Sequence, residues 1–368
     1  MGLGEAIDWL GEGVVLTLGS LIVGLTFGIL AQRSRFCLRA AIIEFFRGSI
    51  GASVSVWLLT FFAAVSATQI LIATDLLVIS EARQLASAGS LSGAIIGGLL
   101  FGMGMVMARG CASRLLVLAG TGNLRSFMTG LVLTVTAQAS LSGILSPARE
   151  FLSGLWTVNG GAERDLMAIF GLSYDSTLAI GLIGMAGAIY YAVVNKIRFW
   201  RSLGAIGVGL MIAVGWWFTY SMSYQSFEPV QVMSITLIGP SADTLMTLIN
   251  HPTIPMDFNL GLVPGIFFGA MLAASLSGTL KMECFDDQRR MPRYIGGAVL
   301  MGFGGMLAGG CAVGAGVSGS TIFSLTAWVA LASMWLGAGL TDYLVDRKRI
   351  LVVSLPEIPN EGPPQLIR

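Results

Sequence analysis

The feature that most constrains this chain is a succession of nine apolar segments, each long enough to cross a membrane as a helix. About 18 or more apolar residues are needed to span roughly 30 Å of hydrocarbon. The chain is 55% hydrophobic and 11% charged, against roughly 25% charged for a soluble domain. We therefore predict an all-α, polytopic transmembrane protein. Its spans are expected at about residues 13–31, 50–71, 90–108, 124–145, 176–194, 203–220, 257–279, 293–308 and 321–341.

Residues that usually hold metals and cofactors are scarce. The single histidine, His251, excludes a haem or a di-metal centre built on imidazoles. The four cysteines, at 37, 111, 284 and 311, have no CxxC spacing, so neither a zinc site nor a disulfide scaffold is expected. Ionisable groups are almost absent from the spans, which argues against acid and base catalysis and against a relay of paired carboxylates. We expect no metal, no cofactor and no enzymatic activity.

The basic residues predict the orientation of the chain. An odd number of spans places the two termini on opposite sides of the membrane. With the N-terminus outside, 18 of the 21 Lys and Arg residues fall in inner loops, as the positive-inside rule requires. Only Arg83, Arg149 and Arg164 then lie on the outer side. We predict an outer N-terminus and a cytoplasmic C-terminus.

An internal repeat divides the chain into two related halves. At a shift of 200 positions, ten of the 25 residues from 97 to 121 are identical to their counterparts from 297 to 321. The matching residues are mainly glycine and alanine, and they include a Gly-Cys-Ala sequence at residues 110–112 and 310–312. Because an odd number of crossings separates spans three and eight, the two copies should run in opposite directions, as in the inverted repeats of many transporters.

We expect one transmembrane domain over residues 1–368. Repeat half one covers about 13–145, and half two covers about 257–341. Linker spans occupy about 146–256, and a cytoplasmic tail follows from about 342 to 368. The mixed stretches 146–175 and 221–256 are predicted as outer loops with short interfacial helices, and the tryptophans nearby suit an interfacial aromatic belt: Trp156, Trp216 and Trp217.

Three breaks in the apolar pattern carry the cysteines of greatest interest. Cys37, Cys111 and Cys311 each follow a span in a segment too polar to cross the membrane. Irregular backbone in a membrane is tolerated only where protein covers it or where it lines a water-filled cavity, so these segments should turn toward a common centre. Any one buried cysteine is usually only a small apolar residue. Two cysteines at matched repeat positions favour a function, with neighbouring glycines allowing the loops to bend: Gly110, Gly309 and Gly310.

Thiols and arginines together indicate a sulfur-containing anion. A thiol is a soft, polarizable partner that suits a sulfur atom. Arginines near the thiols and the N–H groups that begin each following helix would attract negative charge; the arginines are Arg35, Arg109 and Arg114. The same arginines also fit an ordinary positive-inside distribution, and that explanation stays open.

These motifs carry a resemblance to a known family. The segments Gln32–Cys37, Arg109–Arg114 and Gly309–Gly314 resemble those of the YeeE/YedE family of bacterial inner-membrane proteins, over about residues 13–341. The resemblance implies an hourglass-shaped helical protein that takes up thiosulfate. It also implies three essential cysteines, matching Cys37, Cys111 and Cys311, which pass the ion along by S–H to sulfur hydrogen bonds. A cytoplasmic sulfur-accepting partner of the TusA type is implied too, whereas Cys284 matches no family role.

We therefore predict a transporter or facilitator for thiosulfate in the bacterial inner membrane. Other sulfur or selenium compounds are alternative substrates, because the loops at 146–175 and 221–256 are long. A membrane-bound sulfurtransferase or thiol redox protein is an alternative of another class. A structural membrane subunit without transport activity is a third.

Overall fold

The computed structural model describes residues 3–227, 229–250, 256–283 and 291–347. It is almost entirely helical, with two π-helices at Ala312–Ser318 and Asp342–Arg347 and one short 3-10 turn at Ile79–Glu81. The α-helices are, in chain order, α1 Leu3–Leu10, α2 Glu12–Ser34, α3 Leu38–Phe46, α4 Ala52–Ala73, α5 Arg83–Ala86, α6 Leu91–Met107, α7 Ala112–Gly120, α8 Leu124–Ser142, α9 Ser146–Gly154, α10 Leu166–Phe170, α11 Tyr174–Val194, α12 Phe199–Gln225, α13 Ile238–Asn250, α14 Phe258–Leu276, α15 Met291–Leu307, α16 Gly319–Thr321 and α17 Leu325–Thr341.

The predicted all-α, polytopic class is confirmed. In the described part of the chain, seven helical stretches are long and apolar enough to cross a membrane, and nine are if each of two bent pairs counts as one span. Each of the nine predicted segments coincides with a long helix. Cys284 and His251 lie outside the described residues.

The two copies of the repeat cross each other at their glycines. A Cβ added to Gly97 of α6 would lie 2.5 Å from the carbonyl oxygen of Gly304 in α15, and one on Gly104 would lie 2.5 Å from that of Gly297. Gly97, near the start of α6, meets Gly304 near the end of α15, whereas Gly104, later in α6, meets Gly297 earlier in α15. The two helices are therefore antiparallel. Glycine is required here because only a bare Cα lets the backbones approach this closely.

Helices α2 and α14 form a second close pair, and in this pair the two helices run parallel. Gly24 packs on the backbone at Leu262, and Gly28 packs on that at Ile266. Gly269 in turn packs on Leu25. The positions rise together along both helices, so α2 and α14 are parallel, as spans one and seven must be in the predicted topology.

We expect Gly97→Ala to destabilise the protein by about 1–3 kcal/mol, the usual result of overpacking. The new methyl group would lie 2.5 Å from both the Ala308 nitrogen and the Gly304 oxygen. Gly130→Ala is the matched control, because a Cβ at this α8 position meets nothing within 4 Å, and alanine favours a helix. Thermal unfolding in detergent measures both. Equal melting temperatures for the two variants would contradict the tight crossing.

The segments predicted as outer loops are largely structured. They contain α9, α10, α13 and a short ribbon in which Gly89–Ser90 pairs antiparallel with Thr157–Val158. The prediction of an interfacial Trp216 is wrong, because this side chain is only 1% exposed. Its Nε1 donates to Oγ1 of Thr321 at 3.3 Å. Position near the end of an apolar run made Trp216 look interfacial, but α12 continues past it to Gln225.

Candidate functional site

The three cysteine-bearing breaks share one backbone geometry. In each, the residue two positions before the cysteine has a left-handed conformation: Arg35 at φ 56°, Arg109 at φ 59° and Gly309 at φ 79°. The cysteine then takes an extended conformation as the N-cap of the next helix. The turn ends one helix and starts another within four residues. Each thiol is therefore placed by the backbone, at the entry of a short helix.

Cys311 is buried and held by its own π-helix. Its sulfur accepts a hydrogen bond from the N–H of Gly314 at 3.3 Å. The Gln84 side chain donates to the Gly314 carbonyl at 3.2 Å, and the Ser318 hydroxyl donates to that of Ile235 at 2.9 Å. Such contacts from neighbouring elements fix the segment. Irregular π-helical turns often occur at functional sites for this reason.

A polar cavity of about 430 Å³, called the vestibule below, opens onto this break. Its lining includes Gly309 and Gly310, the two residues directly before Cys311. Its walls include Trp216, the Ser90 end of α6 and basic side chains from separate parts of the chain. These basic residues are Arg83, Arg149 and Arg164.

Arg164 is the vestibule arginine with the least compensated charge. It is only 6% exposed. Its guanidinium donates to Oγ1 of Thr326 at 2.7 Å and to the carbonyl of Ser87, while its Nε is buried without a hydrogen-bond partner among the described residues. Burial lowers the pKa of Arg164, yet arginine stays protonated in proteins. A buried cation without a carboxylate beside it favours an anion in the vestibule.

Arg83 and Arg149 complete the basic lining in different ways. Arg149 donates to the carbonyl of Ser140 at 2.7 Å and lies 3.4 Å from the Glu150 carboxylate, so part of its charge is already balanced. Arg83 is exposed at the start of α5. The vestibule is therefore positive overall, and Arg164 is its most desolvated charge.

The other two thiols lie beyond the end of α6 that is far from the vestibule, although the short helices that follow the Cys111 and Cys311 breaks contact each other. Helix α6 starts at the vestibule and has 17 residues, so that it carries the chain about 25 Å away before the Cys111 break. There, the Cys37 and Cys111 side chains lie beside each other. Cys111 is fully buried and also contacts the Ser113 hydroxyl at 3.2 Å, while Cys37 is partly exposed. We call Cys37 and Cys111 the thiol pair.

Arginines surround the thiol pair. Arg114 is partly buried, its Nη1 has no hydrogen-bond partner among the described residues, and its charge acts on Cys37. Arg39 also acts on Cys37 and lies 3.9 Å from the Asp346 carboxylate. Arg35 and Arg109 are exposed. Of the three predicted arginines, Arg114 is therefore the one best placed to touch an anion beside the thiols.

The glycines predicted to let the loops bend have defined places. Gly309 supplies the left-handed turn. A Cβ on Gly310 would lie 2.8 Å from the Ala315 nitrogen, and one on Gly110 would lie 3.3 Å from Leu115. Tight packing is a physical requirement at Gly310 in particular, and any role in loop movement stays a prediction.

The vestibule is the part of the site that sequence reasoning missed. Its signal was present, since Arg83, Arg149 and Arg164 are the only basic residues that the orientation count placed on the outer side. The orientation analysis treated these three residues only as exceptions to the positive-inside rule. A basic residue that breaks the positive-inside pattern is better examined as a candidate anion ligand.

The fold and site together define a class. A multi-pass helical membrane protein with an arginine-lined vestibule above one thiol, and a thiol pair toward its other end, has the features of a membrane transport protein for a small anion. The comparison with known families agrees. A family model described as sulphur transport matches residues 33–340. The chain belongs to this family, YeeE/YedE.

Two characterised relatives are similar along nearly their whole length. The thiosulfate transporter TsuA of Escherichia coli (strain K12) is 25% identical over 351 residues, covering 90% of this chain and 95% of the relative. The thiosulfate transporter TsuA of Spirochaeta thermophila (strain ATCC 700085 / DSM 6578 / Z-1203) is 25% identical over 341 residues, covering 89% and 98%. Both relatives are named as transporters, which agrees with the expectation that this chain is not an enzyme.

Proposed function

We propose that this protein takes up thiosulfate across the bacterial inner membrane. The observation that carries the proposal is the vestibule, a basic cavity lined in part by the two glycines directly before the buried Cys311. Membership of the sulphur transport family and similarity to two thiosulfate transporters support the same substrate. In the orientation that the basic residues predict, the vestibule opens on the outer side.

The route we propose has three stages. Thiosulfate first enters the vestibule, where Arg164 and its neighbours balance the charge of its oxygen atoms by charge-assisted hydrogen bonds. Its terminal sulfur then meets Cys311, and afterwards the thiol pair, where Arg114 replaces the vestibule arginines as the cationic partner. Each thiol offers a weak S–H donor and a polarizable sulfur, so the ion is passed on by hydrogen bonds without a covalent adduct.

The thiol pair marks the cytoplasmic end of this route. Cys37 is partly exposed, and the exposed Arg35 and Arg109 flank the breaks that hold the pair. An arginine-rich exit suits release of an anion to a cytoplasmic sulfur-accepting protein of the TusA type. Such a protein would need an acidic or anion-carrying surface, since charge complementarity steers association.

The test is uptake by a bacterium that lacks its own thiosulfate transport. We expect the full-length chain to restore growth on thiosulfate as sole sulfur source and to leave growth on sulfite unchanged. Radiolabelled thiosulfate measures uptake directly, and unlabelled sulfate, sulfite and selenium compounds are the competitors. Restored growth on every sulfur source alike, or no labelled thiosulfate accumulated by cells with the chain in their membrane, would contradict the proposal.

A further inference from the structure

The vestibule also contains a carboxyl group. Asp243 of α13 is the one acidic side chain among the described residues that line this cavity, opposite its three arginines. A carboxylate in a cavity that attracts anions weakens their binding, because like charges repel. Counting these four groups, the lining has a charge of +2 when Asp243 is ionised and +3 when it is protonated. Binding of an anion therefore depends on the charge state of this residue.

Asp243 has a hydrogen-bonding partner that can serve both charge states. The amide Nδ2 of Asn259 donates to Oδ2 of Asp243 at 2.9 Å, which suits an ionised carboxylate. The amide Oδ1 of Asn259 is buried and has no donor among the described residues. Rotating the amide by half a turn would present this oxygen to the O–H of a protonated Asp243. Asn259 can thus form a hydrogen bond with Asp243 in both the ionised and the protonated state of the carboxyl group.

The charges around Asp243 favour protonation. Burial raises the pKa of its carboxyl group, and the Asp257 carboxylate at the start of α14 adds to the rise. The Asn259 amide and the Arg83 charge lower the pKa by smaller amounts. No ion pair joins Asp243 to a basic residue within the described part of the chain. Arg149 and Arg164 line the same cavity, and the net result is a pKa above the ordinary range.

A second cavity lies behind this pair. It has a volume of about 230 Å³ and shares Met233 and Asn259 with the vestibule. Two carboxyl groups line it, those of Glu12 and Asp257. An acidic cavity excludes anions and attracts protons. Asn259 therefore separates a basic cavity suited to the anion from an acidic cavity suited to the proton.

We propose that Asp243 and Asn259 couple the binding of a sulfur-containing dianion in the vestibule to protonation of the Asp243 carboxylate. This inference rests on the proposed function. Thermodynamic linkage makes the coupling reciprocal: an anion that binds the protonated form more tightly also draws a proton onto Asp243. As the pH falls through the pKa of Asp243 in the anion-free protein, the repulsion disappears and the affinity for the anion rises.

The test measures thiosulfate binding by the purified full-length protein with calorimetry between about pH 7.5 and about pH 5. We expect the wild-type affinity to rise as the pH falls, with a full effect on the order of tenfold from removing one nearby charge. Asp243→Asn should bind more tightly than the wild type at the alkaline end, by the same factor, with no pH dependence. Buffers of different ionisation enthalpy should show net proton uptake on binding by the wild type, at most about half a proton per anion for a tenfold coupling, and none by Asp243→Asn.

Asp175→Asn is the matched control, because Asp175 is exposed in the first turn of α11 and lines neither cavity. It should keep the wild-type pH dependence. Asp243→Ala provides a second removal of the titrating group if the asparagine variant does not fold. A pH dependence that survives both Asp243 variants would overturn the inference alone. A wild-type protein that binds no thiosulfate at any pH would overturn the proposed function, and this inference with it.

Discussion

Replacing Cys111 with serine is expected to reduce thiosulfate uptake roughly 30-fold or more, the rate equivalent of about 2 kcal/mol. Cys111 is fully buried between the Cys37 thiol and the Ser113 hydroxyl. A serine hydroxyl fits this space and keeps a donor, so the fold should persist. It is harder and less polarizable than a thiol, and it forms a poor contact with a sulfur atom. The initial rate of labelled thiosulfate uptake in proteoliposomes measures the loss.

Cys284→Ser is the matched control for this change, since the chain contains this fourth cysteine outside the proposed path. We expect it to keep the full rate of uptake. An undiminished rate in Cys111→Ser would show that the sulfur atom is not needed at this position. Mass spectrometry separates the alternatives: a persulfide on Cys111 after exposure to thiosulfate would support a sulfurtransferase, whereas a hydrogen-bonded relay leaves the thiol unmodified.

Replacing Arg164 with glutamine should weaken thiosulfate binding by at least about tenfold. A hydrogen bond to a charged group contributes about 1.5–3 kcal/mol, which corresponds to a factor of ten or more in affinity. The glutamine amide can still donate to the Thr326 hydroxyl, which the Arg164 guanidinium contacts at 2.7 Å. It cannot supply the positive charge. Binding to the detergent-purified protein is the measurement, with the melting temperature recorded alongside.

Two further variants show whether charge or structure is responsible. Arg164→Lys keeps the charge and should recover part of the affinity, although it loses the planar guanidinium. Arg149→Gln should have a smaller effect than Arg164→Gln, because Arg149 is already partly balanced by Glu150 at 3.4 Å. An Arg149→Gln variant that binds thiosulfate more weakly than Arg164→Gln would contradict the larger contribution that we assign to Arg164. Equal binding by Arg164→Gln and the wild type would remove Arg164 from the anion site.

The architecture was largely predictable because one physical requirement dominates it. An apolar run of sufficient length is expected to form a membrane helix. All nine predicted runs coincide with long helices; in the described residues, seven helical stretches can cross a membrane, or nine if each bent pair counts as one span. The antiparallel relation of α6 and α15 was also predictable, since it follows from counting crossings. Which faces of these helices meet was harder to foresee. Small residues cover much of both helices, and the crossing at Gly97 and Gly304 depends on the three-dimensional packing.

The site was predictable only where it depended on local sequence. The breaks at Cys37, Cys111 and Cys311 interrupt apolar runs and are visible in the sequence itself. The closeness of Cys37 and Cys111 could not be foreseen, because these residues belong to two breaks that lie 74 positions apart.

The vestibule could not be predicted from any single segment. Its lining comes from eight helices, α5, α8, α9, α12, α13, α14, α15 and α17, and from loops between helices. Asp243 illustrates the difficulty. It stands in a mixed stretch that predicts a solvated loop, but α13 turns its carboxyl group into a basic cavity. A search for carboxylates within the apolar spans could not find it, since α13 is not among the helices that qualify as spans.

The left-handed turns before the cysteines affect which amino-acid substitutions evolution favours at positions 35 and 109. Arg35 and Arg109 hold a backbone shape that costs a non-glycine residue about 1–2 kcal/mol, whereas Gly309 takes the same shape almost freely. Glycine at positions 35 and 109 would thus make the chain more heat-resistant. Under the proposed function it would also remove cations from the exit. Selection for thermal stability therefore favours glycine at these two positions, whereas selection for a high transport rate favours arginine.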